Sequence, residues 1–256
     1  MIEHLNLTDD ERVLSAWDAY LCQNLMAQFV TAQELGQEEL QFERLWSNRE
    51  DISFGDNQGF YVGRNSVREF WVTGRQKVRA ADAALHAAVG GSGTPGAGAM
   101  ERRNLMSPLI EVARDGQTAK GMWYCPGVGT QTEIDGNVHL RWHYIRYGAD
   151  FVLEESSWKL WHVFEGSEFA FEMGHSYIPG TGMNPLPDTT VYSQHPETEG
   201  MPLGREVLPD RDIQMETYSI RYGWSPFPAV PVPYDTFANT FSYGPEPWLA
   251  MQEVEK

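Results

Sequence analysis

Three observations predict an α+β fold in which a bent antiparallel sheet wraps on N-terminal helices. Helical periodicity runs to about residue 89. Branched and aromatic residues then fill extended runs between residues 103 and 165. Last, a long irregular segment holds 12 of the 15 prolines, between Pro179 and Pro247.

The first helix is announced by Thr8-Asp-Asp-Glu11, a capping box in which Thr8 bonds first-turn amides and Glu11 reaches back. Val13, Leu14, Trp17, Leu21 and Leu25 follow at helical spacing, which predicts a helix from Asp9 to Gln33. Leu35-Gly36 breaks it. A second helix is expected from Gln37 to Ser47, and a strand over Asp51–Phe54. Gly55 to Gly59 then form a turn, and Phe60–Val62 return. Ser66-Val-Arg-Glu69 reads as another capping box, opening a long helix through Val89. The glycine-rich run 90–98 is expected to be a mobile loop.

The sheet is expected from four runs, 104–113, 118–125, 138–153 and 158–165, the last two joined at Glu154-Glu-Ser-Ser157. Four of the seven histidines fall in or just after it: His139, His143, His162 and His175. Beyond Phe171 the composition changes, yet aromatic residues such as Tyr177, Tyr192, Trp224, Tyr243 and Trp248 persist, and disordered tails avoid aromatics. The chain therefore divides into a domain over 1–170 and an extension over 171–256 packed on that domain or on a neighbouring subunit.

The 256 residues carry a formal net charge of -17 and 41% hydrophobic residues. That is enough to bury a sizeable core, and an acidic surface excludes nucleic acid and anionic membrane as expected partners. No apolar run approaches the roughly 20 residues of a membrane span. No secretory h-region stands at the start, and two cysteines, Cys22 and Cys125, make no disulfide framework. A cytoplasmic protein is expected.

Leu45-Trp46 with Asp51-Ile-Ser-Phe-Gly55, then Gly59-Phe-Tyr-Val-Gly63-Arg-Asn-Ser-Val-Arg-Glu-Phe70, resemble the SnoaL-like branch of the nuclear transport factor 2-like superfamily. So do Ile110-Glu-Val-Ala-Arg-Asp-Gly-Gln-Thr-Ala119-Lys-Gly and Trp158-Lys-Leu-Trp161. The resemblance covers roughly residues 9–168. It implies a cone, a bent sheet closing over helices around a deep apolar pocket, and a homodimer or higher oligomer. It also implies cofactor-free acid–base chemistry among dehydratases, isomerases, cyclases and lyases. Many relatives carry a His on the strand before the Asp-Gly-x-Thr-Ala turn, paired with an Asp on the first helix. Here Asn104 falls at the His position and Thr31-Ala-Gln-Glu34 holds no Asp, so the usual pair is missing.

Other residues then come forward. Period two puts His139, Arg141, His143, Ile145 and Tyr147 on one strand face, and Leu140, Trp142, Tyr144 and Arg146 on the other. Which face is concave stays open. In relatives the Leu160 position points inward, and His162 is expected beside it. A register placing Asp150 opposite His162 would form a carboxylate–imidazole pair able to move a proton, or a structural pair only. Asn104, Tyr144 and Arg146 are candidates to hold a substrate oxygen. Trp142, Trp123, Tyr20 and His143 are candidates to bind the substrate. Arg141 between His139 and His143 argues against a metal, and no zinc, dinucleotide or phosphate-loop motif occurs, so neither metal nor cofactor is expected.

The reading is a cofactor-independent lyase of dehydratase type on a hydrophobic, aromatic small molecule. A variant that cleaves carbon–carbon bonds with loss of formaldehyde, as in superfamily members acting on lignin-derived diaryl compounds, is included. The alternatives are a non-catalytic small-molecule-binding or assembly protein, and a hydrolase or cyclase on the same fold.

Overall fold

The first helix, α1 (Asp9–Glu34), starts as the capping box dictates: Thr8 Oγ1 accepts the Glu11 amide, and Glu11 Oε2 takes the Thr8 amide at 2.7 Å. In this computed structural model residues 8–94, 96–97, 99–132, 138–172, 207–213 and 227–246 are described. Helix α2 (Glu38–Leu45) follows, then a tight hairpin, β1 (Ser53–Asp56) and β2 (Gly59–Val62). The hairpin sits two residues later than its expected first strand. Asp56 Oδ1 accepts the amides of Gln58 and Gly59, so the turn contracts to Asn57-Gln58.

Helix α3 (Arg64–Arg68) starts two residues before the expected Ser66 cap, and no side chain caps it. Gly63, at φ 88, supplies the left-handed backbone that turns the chain out of β2 into the helix. The long helix is also not uniform. Glu69–Gly74 form a π-helix before α4 (Arg75–Ala88). The wider turn lets adjacent Phe70 and Trp71 both pack on Phe54, with ring centroids at 5.0 and 4.8 Å. The glycine-rich run joins α4 to the sheet, with Pro95 and Gly98 outside the described residues.

The sheet is longer than the sequence suggests. It contains β3 (Met100–Arg103), β4 (Met106–Val112), β5 (Thr118–Thr132), β6 (Val138–Glu154), β7 (Ser157–Glu172) and β8 (Arg211–Asp212). The order is β3-β5-β6-β7-β1-β2-β8, with β4 also on β5 and β1 running parallel to β7. The sheet is curved and unclosed, and its two faces have different company. Toward the helices lies the main core: Phe29, Trp46, Phe54, Tyr61, Trp71, Trp123, Tyr147, Ala149, Phe151, Leu160 and Val163. On the other face a smaller cluster of Phe60, Phe164, Ile213, Phe227 and Tyr243 packs beneath residues 227–246. No helix among the described residues is long and apolar enough to cross a membrane. His175, Tyr177, Tyr192, Trp224 and Trp248 lie outside the described residues.

Strand register decides what each face carries. Asp150 stands opposite His162, but Phe151 stands opposite Leu160, so Trp161 is an extra residue in β7. This bulge breaks the alternation on which the expected placement of His162 rested. Leu160 faces the helices, whereas His162 faces residues 227–246 together with Asp150 and Arg146. The sheet face toward the helices carries His143, Ile145, Tyr147, Ala149 and Phe151 from β6.

Candidate active site

The helix-facing side is apolar except along one band. Register aligns Trp123 with Tyr147 and Tyr147 with Glu165 across three strands, while Arg103 aligns with Gly127 and Gly127 with His143. Arg103, Tyr147, Glu165 and Glu101 join in a continuous chain, with His143 beside its Glu101 end. Arg103 Nη1 reaches Glu165 Oε2 at 2.8 Å and the Tyr147 hydroxyl, and its Nε reaches Glu101 Oε1 at 3.0 Å. The Tyr147 hydroxyl donates to the same Glu165 oxygen at 2.8 Å. At the far end, His143 Nε2 lies 3.5 Å from Glu101 Oε1 without forming a hydrogen bond. The Arg103 side chain is only 8% exposed, and the chain meets water at Glu101, 39% exposed.

The helices and a backbone gap hold this chain in place. Glu34, at the end of α1, accepts the Arg103 amide at 2.6 Å and fixes the start of the sheet against the helix. The His143 ring lies over Gly127, where a Cβ would stand 2.0 Å from Nε2. The Tyr147 ring sits in the core cluster, so packing fixes the direction of its hydroxyl.

The electrostatics separate acid from base. Burial works against the Arg103 charge, but Glu165, Tyr147 and Glu101 outweigh it and hold its pKa well above the ordinary value. Burial would raise the Glu165 pKa, yet the Arg103 charge and its hydrogen bond win and keep it lowered. Burial first, then the Glu165 charge, pushes the Tyr147 phenol well above its usual range, so it stays protonated. Burial lowers the His143 pKa, with Arg103 acting in the same direction and Glu101 opposing. A neutral imidazole and a protonated phenol thus stand at opposite ends of one chain. Burial also pushes the Cys125 thiol beside it up to about 12, which leaves it inert.

Several buried donors and acceptors nearby have no hydrogen-bond partner: the indole nitrogens of Trp46, Trp71 and Trp123, the side-chain amide of Gln33, and Arg75 Nε. Arg75 lies over the Trp71 ring at 4.9 Å, and its charge helps lower the Glu165 pKa. Among the described residues no cluster of His, Cys, Asp and Glu suits a metal ion.

The residues singled out from the sequence divide between the two faces. His143 and Trp123 lie on the helix-facing side, Trp123 buried. His162 bonds Ser53 Oγ through Nδ1 at 2.9 Å on the opposite face, and Asp150 is bound there by Lys120. Arg146 pairs with Glu168 at 3.1 Å on that same face. Tyr144 stacks on Phe169 at 5.3 Å, and Trp142 is 43% exposed. Tyr20 lies on the outer side of α1, 51% exposed. Asn104 is exposed, with its amide on the Pro126 carbonyl at 3.4 Å. The inward position is its neighbour Arg103, which the sequence reading passed over. A legible signal existed: Arg103, Tyr147 and Glu165 are polar residues at positions where the alternation calls for core.

The description of the matching protein family is SnoaL-like domain, and the match spans residues 15–163. Among solved structures, the chain is similar to a candidate scytalone dehydratase from Novosphingobium aromaticivorans. The identity is 11%, covering 70% of this chain and 97% of that one at a TM-score of 0.47. It is similar to a hexachlorocyclohexane dehydrochlorinase of LinA type from Novosphingobium barchaimii, at 11% identity, 70% and 99% coverage and a TM-score of 0.46. A nuclear transport factor 2-like superfamily protein from Salmonella enterica is 14% identical over 59% of this chain and 92% of that one, at a TM-score of 0.43. A search of curated protein sequences finds no match.

Proposed function

Since this chain belongs to the SnoaL-like family, we propose that it is a cofactor-independent lyase acting by acid–base chemistry on an uncharged, largely apolar small molecule in its cone. One observation carries the reading. A neutral imidazole whose Nε2 makes no hydrogen bond, His143, stands beside Glu101 at one end of a buried polar chain, and a protonated phenol held by Arg103, Tyr147, stands at the other. His143 is the general base and takes a proton from a substrate carbon. The carbon–oxygen bond then breaks with its electron pair on oxygen, a double bond forms, and Tyr147 turns its one proton from Glu165 to the leaving oxygen. Arg103 stabilises the developing phenolate, and water departs. Protons exchange with solvent at the Glu101 end to restore both groups.

The substrate class follows from the surroundings. Arg103 is already matched by Glu165 and Glu101, so it has no spare positive charge to offer an anion. Around the band the walls are aromatic, and the unpartnered indole and amide groups would meet oxygen or halogen acceptors. An aromatic or alicyclic alcohol fits both features.

The paired state of Arg103 also favours a second reading, a small-molecule-binding protein without turnover. Both readings are tested by screening neutral aromatic and alicyclic alcohols for thermal shift, then following dehydration of the hits. Tyr147→Phe and His143→Gln are each expected to lower kcat by about 10²- to 10³-fold with folding retained. Binding without turnover in the wild type establishes the second reading. Full turnover in both variants refutes the roles of Tyr147 as acid and His143 as base.

A further inference from the structure

On the face away from the helices a polar row crosses four adjacent strands. Register pairs Lys120 with Asp150, Asp150 with His162, and His162 with Ser53. One face of an antiparallel sheet is commonly wet, and such a row would be at home in water. Here Lys120, Asp150 and Ser53 are fully buried and His162 is 5% exposed.

What buries them is the chain's own distal segment. The Lys120 ammonium sits among four rings from it, with Phe237, Phe241, Tyr243 and Tyr234 centroids at 4.5, 4.7, 5.3 and 5.8 Å. Asp150 Oδ1 binds Lys120 Nζ at 2.5 Å, and Oδ2 accepts the Ser242 hydroxyl at 2.9 Å and the Tyr243 amide at 2.8 Å. Phe237 packs on Trp161, the bulge residue, at 4.3 Å. Gly244 approaches His162 so closely that a Cβ there would lie 3.1 Å from Nδ1. Two backbone amides, of Arg114 and Asp115, bond to the carbonyls of Tyr234 and Asp235.

A buried ion pair adds little net stability over an apolar pair, but it is selective about what covers it. This one is satisfied by aromatic rings over the ammonium and two donors on the carboxylate. It is also tolerant of uncovering, because water replaces both partners once the segment lifts. The apolar cluster of Phe60, Phe164 and Ile213 on the same face has no such substitute, and it sets the cost of lifting. We infer that residues 227–246 are a releasable strap, with the Lys120–Asp150–His162–Ser53 row as its docking site, and that the strap detaches while the cone stays folded.

Acid favours release. His162 is faced by Asp150 on β6, Lys120 on β5, Asp51 before β1 and Glu246 on the strap. Burial lowers its pKa, the three carboxylates oppose, and Lys120 acts with burial. Lifting the strap returns His162 toward about 6.5, so docking is fully favoured above that pH and weakens as pH falls below it. Lys120, also lowered chiefly by burial, contributes with the same sign.

The test is hydrogen exchange read by mass spectrometry on the full chain, at pH 7.5 and 5.5, with rates corrected for intrinsic exchange. Strap peptides are expected to open well before β6 and β7, and more at pH 5.5. Ser242→Ala is expected to speed strap exchange about tenfold, the effect of one lost bond to a charged acceptor, with β6 and β7 unchanged. Asp150→Asn acts in the same direction, and if it prevents folding, Ser242→Ala still decides. His162→Gln removes most of the pH response. The inference is overturned if strap and core open together in every variant, or if strap opening does not change between the two pH values.

Discussion

In the proposed reaction His143 is the base, and its environment sets a pH signature. A base must be neutral to accept a proton. Burial and the Arg103 charge hold the His143 pKa below the ordinary histidine value of about 6.5 against the pull of Glu101. The acid limb of kcat/KM is therefore expected below pH 6.5, with activity flat from there through neutrality. A limb centred above pH 7 in a pH–rate profile would assign the base to another group. Tyr147 sets no limb in that range, because burial and then Glu165 keep it protonated.

Strands place these residues, and single backbone positions decide whether they meet. Gly127 is one: a methyl there would stand 2.0 Å from His143 Nε2 and 2.5 Å from the Arg102 carbonyl. Gly127→Ala is expected to push the imidazole off its seat and lower kcat/KM at least about tenfold, consistent with the steep cost of misplacing a catalytic group. Circular dichroism checks that the fold survives, and unchanged kinetics would sink the placement. At this scale most elements are legible in the sequence alone. The capping box at Thr8, the periodicity through Leu25 and the alternation from Val138 each name their element correctly, because local chemistry decides those outcomes. The face of His162 is not legible. One extra residue in β7 reverses the alternation, and only pairing with β6 reveals it. Arg103 escapes notice for a related reason. The residue that faces inward at the start of the sheet depends on the break between β3 and β4, and the polar residue at a core position is legible only once that break is placed.

At the scale of the whole molecule, charge acts against compactness. A formal net charge of -17 on 256 residues repels itself, and screening should relieve that repulsion. Raising sodium chloride from about 10 to about 150 mM is expected to raise the melting temperature by a few degrees, measured by calorimetry. A fall would mean that ion pairs such as Arg79 with Glu38 and Arg68 with Glu39 outweigh the net repulsion. Two clusters share one sheet, the larger under the helices and the smaller under residues 227–246. The molecule therefore has an inner side that carries the proposed site and an outer side that packs against its own distal segment.

The bulge at Trp161 has a consequence for how such a chain could arise. Leu160 and His162 already sit opposite adjacent residues of β6, Phe151 and Asp150. Deleting Trp161 would thus close the ladder without turning either neighbour to a new side. In genetic terms the position has the form of a one-codon insertion. It adds the ring that Phe237 rests on, and the aromatic partner of Arg49, while the rest of β7 reads as before. A lineage could gain or lose this anchor in a single step without rewriting the cone.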